Sequence, residues 1–218
     1  SMPVPAVPTA PPLPDSWTEL QAELDRWAAS GRQASFWWRD DDAVAPTPAL
    51  DRLLALAARH GRWVALAVIP AGAEPALADR LAGTTAAVIQ HGWAHTSHAP
   101  AGEKNAELGD HRPAETVLAE LVAGRERLEG LFGGRFRPVL APPWNRIGPR
   151  VRARLGEAGL AVLSGFGARG GGPGPAQLNT HADPIDWRGT RGFAGVDRTL
   201  APVLRHLADR RAGARVRS

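Results

Sequence analysis

The chain has 218 residues and a mass of 23.1 kDa, enough for one full-sized domain and short for two. Its 44 % hydrophobic and 22 % charged residues suit a globular protein, and no apolar run approaches the roughly 20 residues that span a bilayer. There is no cysteine, so any metal must be held by His and carboxylate, and the net charge of +4 comes from scattered arginines without the basic, aromatic-interleaved stripe of a nucleic-acid binder.

Residues 3–14 are proline-rich, which predicts a loosely attached, disordered arm over residues 1–14 ahead of a single domain over 15–218. Ser16 and Glu19 read as a capping box for a helix that carries Trp17, Leu20, Leu24 and Trp27 on one face and stops at Gly31. Ser35-Phe36-Trp37-Trp38 reads as a buried strand ending in Arg39-Asp40-Asp41-Asp42. Thr47-Pro48 opens a second helix, stopped by Gly61. Trp63 to Ile69 is a strand-length apolar run closed by Pro70, followed by a short helix from Glu74 to Leu81. Ala86 to Ile89 is a third strand, running into Gln90-His91. Pro113 starts a long helix, and Arg137 to Leu140 is a strand leading to Ala141-Pro142-Pro143-Trp144-Asn145. Gly148 to Ala158 reads as helix, Leu160 to Leu163 as strand, Gly167 to Pro175 as loop and Gln177 to Trp187 as extended chain. Asp197 is the expected cap of a last helix. Strand and helix alternate at least four times, which implies right-handed βαβ units and a parallel sheet. At this length a distorted or incomplete parallel β/α barrel fits better than a full eightfold one.

The polar clusters all follow strands, at the rim where α/β folds place their sites. His91 and His95 are four apart, a spacing that puts two imidazoles on one face of a helical turn. A carboxylate from Asp41 or Asp42 would complete a two-His-one-Asp set suited to a catalytic divalent ion. Three adjacent aspartates also need a counter-charge, which a metal or Arg39 would supply.

The ordered motifs resemble those of the polysaccharide deacetylases, carbohydrate esterase family 4 with its NodB-homology fold. Asp41-Asp42 ahead of Thr47-Pro48 is similar to the family's first motif. His91-Gly92-Trp93-Ala94-His95 is similar to its His-Ser/Thr-x-x-His, with Gly in place of Ser/Thr. Ala141-Pro142-Pro143-Trp144-Asn145 loosely matches Arg-Pro-Pro-Tyr-Gly, and Asp183-Pro184-Ile185-Asp186-Trp187 matches Asp-x-x-Asp-Trp. The resemblance covers about residues 35–190. It implies an α/β barrel of the polysaccharide-deacetylase type and metal-dependent removal of N-acetyl or O-acetyl groups from a carbohydrate or related amide, a hydrolysis of C–N bonds of linear amides. It implies Asp42, His91 and His95 as ligands of Zn²⁺ or another divalent transition metal, Asp41 as base and the Trp144 N–H as oxyanion donor. A register one residue earlier would use Asp40 as base and Asp41 as ligand. Trp93, Pro143, Asn145, Asp183, Asp186 and Trp187 are the implied substrate contacts.

Two further departures from the family pattern bear on catalysis. The third-motif arginine that orients the base is Ala141 here, with Arg39 or Arg146 as the candidate replacement. The fifth motif, whose histidine is the general acid, is not found, which leaves His181 and His98 as local substitutes and predicts an open seam between first and last strands. A catalytically weak binding module and an amidase on a non-carbohydrate substrate are therefore the alternatives. The expected partner is an acetylated carbohydrate or small amide, with neither nucleic acid nor membrane. The lack of a targeting segment leads to a cytoplasmic expectation.

Overall fold

The computed structural model describes residues 15–213. The proline-rich arm of residues 1–14, the tail arginines Arg215 and Arg217, and the end of the chain where a closing strand was sought lie outside the described residues. The described chain divides into two compact units.

Residues 36–180 form a parallel sheet with helices. In chain order the elements are β1 (Arg39–Ala43), α2 (Pro48–Arg59), β2 (Ala65–Val68), α3 (Pro75–Leu81), β3 (Ala87–Gln90), α4 (Ala114–Phe132), β4 (Phe136–Leu140), α5 (Pro149–Ala153), β5 (Val162–Leu163) and β6 (Ala176–Gln177); α1 (Ser16–Ala29) belongs to the other unit. The spatial order β1-β2-β3-β4-β5-β6 equals the chain order, and every pairing is parallel. This is the α/β fold the alternating pattern predicts.

Period-two alternation divides the sheet into two faces. Leu66, Val68 and Val88 join Leu50, Leu54, Leu77, Leu121 and Leu128 in the main core between sheet and helices. Ala65, Ala67, Ile89 and Ala141 form a second cluster, with Trp37 and Val139 packed on it. The small alanines of β2 on this second face leave room for the longer side chains of β1 beside them. Among the described residues no ladder joins β6 to β1, so the described sheet is open there. Side chains bridge that gap instead: Trp37 Nε1 donates to the Asn179 carbonyl at 3.2 Å, and Arg39 Nη1 to the Ser164 carbonyl at 2.9 Å.

The other unit holds α1 (Ser16–Ala29), the segment from His181 and α6 (Val196–Arg211). Its two helices meet through Trp27, whose Nε1 donates to the Leu207 carbonyl at 3.1 Å, and through Glu23, which Arg26 and Arg211 hold. Both guanidinium groups keep the Glu23 carboxyl below the usual range, Arg211 being the larger cause.

Several local expectations are corrected. Asp15, not Ser16, caps α1 by accepting from the Thr18 N–H at 2.8 Å, and Trp17 on the expected apolar face is exposed. The first strand is shifted: it begins at Arg39 and contains the aspartates, while Phe36 is exposed. The strand follows the register that pairs Arg39 with Ala65, rather than the bulkiest residues. The expected helix 148–158 breaks at Arg154 into α5 and a 3₁₀ turn, Leu155–Ala158. Of the expected extended segment only Gln177 lies in a strand, Ala176–Gln177, with isolated bridges at Thr180 and Ile185. Gly195 is the N-cap of α6, and Asp197 lies in its first turn.

Candidate metal centre

The strand-end aspartates diverge because β1 carries a bulge. Arg39, Asp40 and Asp41 pair with Ala65, Leu66 and Ala67, and the register then skips Asp42 before Ala43 pairs with Val68. Simple alternation would put Asp42 on the face of Asp40. The bulge removes it from that face, with a left-handed φ of +71°. Arg39 and Asp41 therefore share the face of Ala65 and Ala67, Asp40 shares the face of Leu66, and Asp42 projects from the strand end.

His91 follows β3 directly and is 2 % exposed. Its Nδ1 lies 2.7 Å from the Ala141 carbonyl, an acceptor that fixes Nδ1–H as the donor and turns Nε2 the other way. That Nε2 is 2.9 Å from Asp42 Oδ1, and His95 Nε2 is 3.3 Å from the same oxygen. The ligand atoms of Asp42, His91 and His95 all lie within 4.8 Å of one another. The two histidines meet through a loop, not the helical turn their spacing suggests, and His95 has φ +57°. The Asp42 carboxyl is held below its usual range, first by the His91 hydrogen bond and then by both imidazoles, against its own burial.

Donor chemistry and spacing fit a divalent cation. Two imidazole nitrogens and one carboxylate oxygen are the ligand types of a catalytic zinc site. Tetrahedral bonds of about 2.0–2.1 Å place neighbouring ligand atoms ~3.3 Å apart, close to the 2.9 and 3.3 Å found here. With Nδ1–H committed to a carbonyl, the His91 Nε2 can face a carboxylate only with a proton or a metal ion between them.

Asp41 stands beside this cluster in a different role. Arg39 Nε and Nη2 donate to its two oxygens at 2.8 and 2.9 Å, a fork-to-fork pair. The same guanidinium donates to Ser164 and, at 2.9 Å, to Asn145 Oδ1. Its side chain is only 4 % exposed, against 33 % for Asp41. Of the two candidate arginines, Arg39 is thus the one that holds Asp41, whereas Arg146 donates to the Asn105 carbonyl. Asp40 carries no such partner. Burial, and next the charges of Asp41 and Asp42, raise its carboxyl to about 6.

The Pro143–Asn145 turn borders His95. The Trp144 ring lies 4.3 Å from the His95 ring, and Trp144 and Asn145 have φ of +55° and +54°. The Asn145 N–H donates to the Pro142 carbonyl, which leaves the Trp144 N–H outside the turn's own hydrogen bonds. Pro143 is buried, and Trp93 is half-buried. Asn145, expected on the substrate, spends its side-chain oxygen on Arg39.

The fourth-motif residues belong to the other unit and are engaged locally. Asp183 accepts from the Ile185 N–H at 2.9 Å and from Trp187 Nε1 at 2.7 Å, Asp186 accepts from the Gly189 N–H at 3.1 Å, and Trp187 is exposed. His181 stacks on His206 with centroids 3.8 Å apart. Burial, followed by the charge of Arg210, lowers the His206 imidazole, partly offset by Asp209.

Glu107 is the site residue that motif reading missed. It is buried and accepts from the N–H groups of Trp93, Ala94 and Thr96. Its only trace in the sequence is a lone acid between Ala106 and Leu108.

No family model matches the sequence, and no curated protein matches it. Solved structures do match in fold. A CE4 esterase of Streptococcus mutans aligns at 13 % identity and TM-score 0.55, over 88 % of this chain and 72 % of its own. The Bc1960 peptidoglycan N-acetylglucosamine deacetylase aligns at 14 % and 0.50, over 82 % and 80 %. The peptidoglycan deacetylase PdaC from Bacillus subtilis aligns at 17 % and 0.48, and this chain spans 61 % of its length. The fold is that of the family 4 carbohydrate esterases, the polysaccharide-deacetylase type.

Proposed function

We propose that the chain is a metal-dependent hydrolase that removes an acetyl group from an acetylated carbohydrate or a related linear amide. One observation carries this reading: Asp42 meets both imidazoles at one carboxylate oxygen while Arg39 holds Asp41 beside them. The carbohydrate class rests on the fold, since the two matched structures are named as a CE4 esterase and as a peptidoglycan N-acetylglucosamine deacetylase.

Asp42, His91 and His95 would hold Zn²⁺ or another divalent transition metal. When bound, such an ion supplies Lewis acidity to the scissile carbonyl and to an attacking water. Asp41 is the base in this reading. Each of its oxygens uses one lone pair on Arg39 and keeps another for the water's proton. Arg39 fixes the plane of that carboxylate. The Trp144 N–H donates to the developing oxyanion. Trp93 and Trp144 offer ring surface to a sugar.

One observation favours a weaker enzyme. Among the described residues of the unit 36–180, no third histidine joins the Asp42–His91–His95 group: His98 is exposed, and His111 pairs with Glu103 at 3.0 Å. Acetate release from an acetylated chito-oligosaccharide, with and without added Zn²⁺, tests the proposal. Zinc-dependent acetate is the expected result. A chain that binds zinc and oligosaccharide but releases no acetate would be a binding module instead.

A further inference from the structure

Glu107 lies between strands, in a segment fixed on both sides. The His98 N–H donates to the Ala106 carbonyl at 2.9 Å, and the Gly148 N–H to the Leu108 carbonyl at 2.8 Å. Ala106 N–H also reaches Ser97 Oγ, and Leu108 bridges Ile147. The Glu107 side chain enters the protein from this platform and is 1 % exposed as a residue. A carboxylate so deep is costly unless its oxygens are satisfied. Oε1 accepts from the Trp93 N–H at 2.8 Å, and Oε2 from Ala94 at 2.8 Å and Thr96 at 3.1 Å. These three residues flank His95, whose φ is +57°.

Gly92 shows why the acid is there. A Cβ at Gly92 would strike Glu107 Oε1 and come within 2.7 Å of Pro143 Cγ, at a φ of +62°. The carboxylate therefore occupies the space that a Ser or Thr side chain would need at this point of the His-Ser/Thr-x-x-His motif.

We infer that Glu107 is the positioning residue for the second imidazole: it folds the 93–96 loop so that His95 faces Asp42, and so sets the affinity of the Asp42–His91–His95 centre for a divalent cation. The inference rests on the metal reading of that centre. Without Glu107, three N–H groups lose their shared acceptor, and the left-handed conformation of His95 loses what enforces it.

Cobalt(II) titration, followed by the visible absorption of the bound ion, tests this in the full chain. The wild type, Glu107→Gln and His95→Ala are compared. Glu107→Gln keeps the volume but replaces one acceptor oxygen by a donor. Supporting partners of metal ligands typically contribute about 10–100-fold in affinity, so Glu107→Gln is expected to bind cobalt about that much more weakly, with a spectrum shifted toward that of His95→Ala. Equal affinity and an unchanged spectrum overturn the inference alone. A wild type that binds no cobalt overturns the metal reading and this inference with it. If Glu107→Gln does not fold, amide exchange in the wild type decides. Binding linked through Glu107 must slow exchange at Trp93, Ala94 and Thr96 when cobalt is added. Unchanged exchange at all three overturns the inference.

Discussion

Replacing Arg39 by alanine separates holding a metal from using it. The side chain is almost wholly buried and makes five hydrogen bonds: two to Asp41, two to Ser164 and one to Asn145. Removing one partner of a buried ion pair costs about 3–5 kcal/mol, because the other charge is left uncompensated. A third of the Asp41 side chain reaches solvent, so part of that is screened and about 2–3 kcal/mol of stability is the expected loss. The effect on turnover is a different quantity. A positioned general base contributes roughly 10²–10⁴-fold, and an Asp41 free to rotate forfeits much of it. We expect Arg39→Ala to lower kcat about 10²–10³-fold and to leave zinc affinity within about threefold, since Arg39 touches none of the three ligands. Arg39→Lys restores the charge without the fork and should recover only part of the rate. The assay is acetate release at saturating zinc, with urea unfolding to confirm that both variants are folded. Turnover within threefold of wild type in Arg39→Ala, or loss of zinc instead of turnover, refutes the assignment.

Asp42→Asn should weaken zinc binding more than about 100-fold, beyond the effect of a supporting partner, whereas Asp41→Asn should keep the metal and lose turnover; the reverse pattern in a zinc titration would revive the earlier register. Asp40 has a folded pKa of about 6 against 3.8 unfolded, so the native state binds more protons between those values and metal-free stability falls as pH rises from about 4 to 6. The full difference is about 3 kcal/mol, and partial exposure halves it, so Asp40→Asn should gain about 1–2 kcal/mol over wild type at pH 7 and nothing at pH 4. Urea unfolding with a chelator at the two pH values measures this, and a pH-independent difference would contradict it. Aryl acetates, whose leaving group needs no proton, should be hydrolysed faster relative to acetamides than general acid catalysis would allow, a ratio of about 10² or more; equal rates on both would show that an acid is in place.

The parts of the molecule that repeat were readable, and those that depend on distant chain were not. Alternating apolar runs and helical stripes placed β2 to β5 and the long helix α4, because burial on both faces of a parallel sheet dictates continuous Val, Ile, Leu and Ala. Motif spacing placed Asp42 with His91 and His95. The route by which His95 arrives was not readable, since a loop shaped by Glu107, twelve residues downstream, leaves no periodic signal. The first strand misled because Phe36-Trp37-Trp38 has the strand propensity, while the ladder to β2 starts at Arg39. Arg39 was visible as a candidate, but only the pairing register, which puts residues i and i+2 on one face, shows that it reaches Asp41.

Backbone strain links these observations. Among the described residues, five that are not glycine have positive φ, and four of them, Asp42, His95, Trp144 and Asn145, surround the candidate centre. Such conformations cost about 1–3 kcal/mol each and persist only where the surroundings over-determine them. Each of the four has its restraint. The β1 bulge is bracketed by ladder pairs at Asp41 and Ala43. The His95 loop hangs on Glu107 through three N–H groups. The Trp144–Asn145 turn is tied by the Asn145 N–H to Pro142 and by its side chain to Arg39. Relaxed β-region values at these positions would point Asp42, His95 and the Trp144 N–H elsewhere. Arg39 and Glu107, the charged side chains buried around this centre, supply much of the restraint: one orders Asp41 and the Trp144–Asn145 turn, the other the second imidazole. A fold kept only for packing would have no reason to gather strain and buried charge at the same strand ends.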